Sequence, residues 1–159
     1  MRFRRTSPHA WELDDMHPLF AGLLAELPEV AAAHDRASGR LYPDPVGKDG
    51  PSEMRADWGE HVRPELECLF ASNREIVARD LAPLADGDCS GRLIIPADHL
   101  DAWLNVLNQA RLITVEANGL DEADLDNREF PDLATHRGMA LLRTHFYAHL
   151  QELMVEAVS

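Results

Sequence analysis

Positive charge, cysteine and long apolar runs are all scarce in this chain of 159 residues, and each shortage closes off a class of function. Lys and Arg together number 15 against 28 Asp and Glu, a formal net charge of −13. Such a surface repels phosphate backbones and anionic membranes, so tight unaided nucleic-acid binding is not expected. The one concentrated basic stretch is Arg2, Arg4 and Arg5. The most apolar early stretch, PLFAGLLAEL, is about ten residues long and contains Glu26, far short of the ~20 that cross a bilayer. MRFRRTSPHAWEL has no apolar segment behind its charges, so no secretory signal and a cytoplasmic location are expected. The 2 cysteines of such an acidic chain are expected as thiols rather than as a structural bridge.

Catalytic signatures are missing too. There is no HExxH and no GxSxG, and the GK of PVGKDG lacks the glycine before and the Ser or Thr after it that a phosphate loop needs. The acidic run DEADLDNREFPD fails as a calcium loop, because Arg128 falls where the third ligand belongs if Asp124 begins it. No repeat and no low-complexity tract is visible. Neither an enzyme nor a cofactor is expected.

What is present is helical periodicity. An apolar content of 45% supports one core and one domain over 1–159. The expected class is mainly α: a compact bundle of about five helices with a small N-terminal β-hairpin that a third short strand can join. The hairpin occupies 1–13, with Thr6, Ser7 and Pro8 at its turn, and RLIIP at 92–96 is the third strand. Asp14 or Asp15 is read as the cap of a helix to about 35, with Leu19, Leu23, Leu27 and Val30 as its stripe and Pro28 as a kink or stop. Residues 38–52 read as a surface loop. A short helix over 53–61 precedes a longer one starting at Pro64 and reaching about 82, with Leu66, Leu69, Ile76 and Val77 inward and Asn73 and Asp80 in the same sector. The span 97–118 is apolar over more than half its circumference, which predicts a central helix, and Asn118-Gly119 is its stop. An acidic linker over 119–132 leads to a last helix over 133–158 carrying Met139, Leu142, Phe146, Leu150 and Leu153.

Three constellations could carry chemistry. His145, His149 and Glu152 share one flank of the last helix, a spacing open to a divalent metal and equally to a solvated flank. Cys68 reads as a small hydrophobe at the edge of a stripe or as a redox thiol, and Cys89 as an exposed thiol whose neighbours Asp86 and Asp88 disfavour the thiolate. A helix from Cys68 to 82 measures about 21 Å, and the return to Cys89 spans at most ~25 Å, so a bridge needs 83–88 to run back along the helix. Arg111 falls within the apolar face of the central helix; a buried pair with Asp80, a snorkelled head and a recognition role are all open.

RFRR at 2–5, RLYPDP at 40–45, WLNVLNQARL at 103–112 and the closing LQELMVEAV together resemble an actinobacterial-type family catalogued as a domain of unknown function and now named for the oxidative-stress regulator AosR. The pattern Trp103, Leu104, Asn108, Arg111, Leu112 is its most specific part. The resemblance implies a redox-responsive transcriptional regulator that works with an alternative sigma factor to raise cysteine-synthesis genes, with Cys68 and Cys89 as the thiols available to sense oxidant.

The expected function is thus a non-enzymatic regulator working through protein contacts, with a redox-insensitive scaffold or adaptor as the alternative and a metal-binding protein or enzyme using the His145 and His149 flank third. The exposed edge of the N-terminal strands and the broad face of the helix over 97–118 are the candidate interfaces. Homodimerisation is a further option, because Leu141, Ala148 and Val155 repeat by seven on the last helix.

Overall fold

A computed structural model describes residues 1–33, 39–43, 45–47, 49–85, 91–127 and 129–159, the side chain at 85 excepted. Two short strands, β1 (Arg2–Ser7) and β2 (Ala10–Asp14), pair antiparallel, and β3 (Leu93–Pro96) adds to the far side of β2. The helices are α1 (Pro18–Ala25), α2 (Leu27–Ala32), α3 (Ser52–Asp57), α4 (Arg63–Ala85), α5 (Leu100–Ala117), α6 (Glu122–Asp126) and α7 (His136–Val158). The mainly helical class with its N-terminal hairpin and third strand is as expected.

Alternation in β2 sets the two faces of the sheet. Trp11 and Leu13 turn inward with Leu93 and Ile95 of β3, while Glu12 and Asp14 lie on the other face. That outer face carries ions instead of a hydrophobic cover. Glu12, only 3% exposed, accepts from Arg92 at 2.6 Å and from Arg4 at 2.9 Å, and Asp14 takes Arg2 at 3.1 Å and Arg4 at 3.0 Å. One carboxylate therefore ties the central strand to an arginine on β1 and to another beside β3. The hydrogen bonds from Arg92 and Arg4 hold the Glu12 carboxyl below the ordinary glutamate range. Its contribution to stability is fully present above the unfolded-state pKa and is lost as pH falls through the lowered folded-state value. Thermal unfolding followed from pH 7 downward is expected to show a steep acid limb below about pH 4.5 in the wild type, and Glu12→Gln flattens that limb.

α5 is central. It packs against α2, α4 and α7, and Trp103, Val106, Leu107 and Ala110 are fully buried along it. Asn118 ends the helix and Gly119 follows at φ 56°, the left-handed stop that its sequence predicts. The broad α5 face proposed as an interface is therefore covered by its neighbours. α7 closes the other side; its Tyr147 hydroxyl donates to Leu23 O at 2.7 Å, and burial raises the phenol above its ordinary value.

Several boundaries differ from the sequence reading. Asp14 belongs to β2 and Asp15 turns at φ 58°, so α1 is capped by His17, whose Nδ1 accepts from Leu19 N at 3.2 Å, with Pro18 opening the helix. Leu19 is 37% exposed and leaves the expected stripe to Leu23, Leu24 and Leu27. Pro64 does not begin a new helix. Between α3 and α4 the turn Trp58–Val62 is π-helical, and the amide of Arg63 reaches back five residues to Trp58 O. The wider turn lets Pro64, which has no amide hydrogen, sit in a helix continuous from Ser52 to Ala85. Along α4 the buried positions are Asn73, Val77, Leu81 and Leu84, whereas Leu69 is 50% exposed and faces away from the core. Leu41 and Tyr42, in the span read as a surface loop, are buried in a small separate cluster with Ile113, flanked by Trp58, Leu66 and Phe70. Within the span read as a linker, Asp121 and Asp124 form a reciprocal capping box at the start of α6.

Candidate protein-interaction surface

Three polar contacts inside the bundle join helices. The Asp80 carboxylate accepts from Trp103 Nε1 at 2.9 Å and faces His99 Nδ1 at 3.0 Å, which fastens α4 to the first turns of α5. Arg74 Nη1 donates to Gln109 Oε1 at 3.0 Å further along the same antiparallel seam. The expected Asp80–Arg111 pair does not form. Arg111 lies eight residues beyond Trp103, about 12 Å along the axis, on the side facing α7. There Arg111 Nη1 donates to Gln151 Oε1 at 2.6 Å, and Gln151 Nε2 donates to Leu104 O at 3.0 Å. Arg111 Nε is buried without a partner, and burial lowers the guanidinium below its ordinary pKa. A cation that gains one bond to a neutral amide while losing water contributes little net stability. Arg111→Met is expected to shift the urea-unfolding free energy by less than about 1.5 kcal/mol, since Gln151 keeps its bond to Leu104 O.

The family-pattern residues accordingly divide. Trp103, Leu104 and Arg111 serve these seams, and Asn108 is exposed on the far side of α5. His145, His149 and Glu152 do not converge: His145 Nε2 meets Leu125 O at 3.2 Å, while His149 Nδ1 stands 3.9 Å from Glu152 Oε2 on an exposed flank. Among the described residues no three His, Cys, Asp or Glu side chains are grouped to hold a metal ion. On α7, Val155 is exposed, and Leu141 and Ala148 are half-buried.

Cys68 is exposed on α4, and Cys89 lies outside the described residues. α4 continues past 82 to Ala85, about 25 Å along the axis from Cys68, and four further residues reach at most ~14 Å. A bridge between alpha carbons less than about 7 Å apart therefore requires the end of α4 to unwind.

The feature that sequence reading missed lies at the other end of the long helix. No residue of α3 or of the π-helical turn is buried. Yet three of the eight large apolar side chains that stand exposed among the described residues belong to this one helix: Met54 at 58%, Val62 at 43% and Leu69 at 50%. With half-buried Trp58 they form a ridge, and Trp58 roots the ridge in the cluster of Leu41, Tyr42 and Ile113. Arg55 donates to Gly47 O and so holds the segment 45–47 against α3. An open groove of about 710 Å³ results, with Pro45, Val46, Pro51, Met54, Trp58 and Val62 on its walls. One helix position to the side of Met54 and Trp58 stand Glu53 and Asp57, and Glu65 continues their flank past the π-helical turn. All three are exposed, and among the described residues none has a cation within ion-pair distance. The signal was present as apolar residues recurring by seven or eight on an otherwise charged helix.

No helix among the described residues is long and apolar enough to cross a membrane. No curated protein and no solved structure matches the chain. A family model described as a domain of unknown function, DUF2017, matches residues 8–158.

Proposed function

The chain belongs to the DUF2017 family of domains of unknown function, and we propose that it is a non-enzymatic cytoplasmic regulator that works by contact with a protein partner. The observation that carries this reading is the ridge of Met54, Trp58, Val62 and Leu69. Met54, Val62 and Leu69 stand in water on a helix that Trp58, Leu66 and Phe70 seat against the small cluster of Leu41, Tyr42 and Ile113, and natural surfaces retain grouped apolar side chains where something else covers them. The Arg74–Gln109, Trp103–Asp80 and Arg111–Gln151 contacts within the bundle hold helices together.

The resemblance to AosR-type regulators supplies the finer proposal: a sigma factor as partner, with contact tuned by oxidant. Peroxide would convert two thiols to a disulfide, taking two electrons and two protons and leaving as two waters. Because α4 separates Cys68 from Cys89, that disulfide forms either with partial unwinding of the helix end or between Cys68 and a thiol of the partner. In-cell photo-crosslinking from position 62 or 69 tests the proposal, with and without peroxide, in wild type and in Cys68→Ser/Cys89→Ser. Adducts from both positions and none from a control at 108 are expected. Adducts that ignore peroxide and the cysteine changes identify a redox-insensitive adaptor. Absence of adducts from 62 and 69 under both conditions overturns the reading.

A further inference from the structure

We infer that the groove beside the long helix receives a basic amphipathic helix of the partner protein. This rests on the contact reading above and adds the chemistry of what is contacted. Met54, Trp58 and Val62 line the groove over about 12 Å, and exposed Leu69 stands about 10 Å further along the same helix, a span over which an amphipathic helix can lay an apolar stripe. Its charge decides the kind of helix. Glu53, Asp57 and Glu65 line one flank over about 18 Å of that length, with no cation on them among the described residues. A partner with Lys or Arg on one side of its stripe neutralises that flank as its apolar side chains cover Met54, Trp58 and Val62. The same flank repels nucleic acid and anionic lipid. It also disfavours a second copy of this chain, which brings an identical row of carboxylates. Arg2, Arg4 and Arg92 do not offer a rival acceptor, because they are spent on Glu12 and Asp14.

The test uses the full chain and a synthetic Leu/Lys amphipathic helix, with a scrambled Leu/Lys peptide and a Leu/Glu helix of the same pattern as controls. Binding is read from the Trp58 indole resonance, assigned with Trp58→Phe. The Leu/Lys helix is expected to saturate that signal at one to one, to bind at least about tenfold tighter than its scrambled form, and to weaken as salt rises. Val62→Asp is expected to weaken it at least about tenfold, and Asp57→Lys/Glu65→Lys to transfer preference to the Leu/Glu helix. Thermal unfolding of each variant confirms that these exposed changes leave the fold intact. Equal affinity for the scrambled peptide, or affinity that survives both variants, overturns the inference. Seating of the Leu/Glu helix on the wild-type groove removes the basic partner and leaves the contact reading in place. Silence of Trp58 toward helices of either charge, together with no crosslinks from position 62, removes both.

Discussion

Trp103→Ala is expected to cost about 3–5 kcal/mol of folding stability, a large share of the about 5–15 kcal/mol typical of a domain. The indole is fully buried at the centre of the main core, between α4 and α5. Truncation opens a cavity that helices fastened on several sides cannot collapse into. It also strips Asp80 of the donor at 2.9 Å, leaving a carboxylate of 8% side-chain exposure with His99 alone. Trp103→Phe removes the N–H while leaving a much smaller cavity than alanine does, and about 1–3 kcal/mol is expected for it. Urea denaturation of Trp103→Phe, Asp80→Asn and the double variant measures the coupling. If the two single changes add, the indole–carboxylate bond is not what holds this seam.

Gly138→Ala is the second large effect, and its cause is steric. A β-carbon at this buried position in the first turn of α7 would stand 1.9 Å from Asp132 O, a backbone atom that cannot swing aside. The same turn depends on Thr135, whose Oγ1 accepts from Gly138 N at 2.9 Å and donates to Asp132 O at 2.8 Å. Relieving the clash therefore displaces the helix cap as well. Overpacking costs about 1–3 kcal/mol and a lost N-cap about 1 kcal/mol, so a loss of about 2–4 kcal/mol is expected. Thr135→Ala is the control that removes the cap without the clash. A Gly138→Ala protein as stable as wild type, measured by urea denaturation, contradicts the close approach.

The parts of the fold that were legible are those where local chemistry and tertiary role agree. α5 carries a broad apolar circumference and an Asn-Gly stop, and the centre of a bundle needs both. RLIIP between polar neighbours was readable as a strand because its alternate residues Leu93 and Ile95 turn inward. The misreadings share one origin. Periodicity says which residues share a face but not which residue stands opposite, so a pair of Asp80 with Arg111 is open to a sequence reading although their helices bring Asp80 to Trp103 and Arg111 to α7. Asn73 occupies a core position on α4, and its polarity pulled the apparent stripe toward Leu69, which faces water. Pro64 signals a helix start in any local reading; only the five-residue reach of the Arg63 amide shows the helix passing through it. The groove needed tertiary information, because Trp58 becomes a wall only once Leu41 and Tyr42 fold beneath it.

The unbroken run from Ser52 to Ala85 makes the long helix a rod of about 50 Å. One end stands in water beside the groove, and the other is clamped near Asp80. The stretch between is backed by α5 as well: Trp58, Leu66 and Phe70 pack on the cluster that contains Ile113, and Arg74 donates to Gln109. A ligand that takes hold of Met54 and Val62 therefore meets a stiff edge already in shape, with little ordering left to oppose binding.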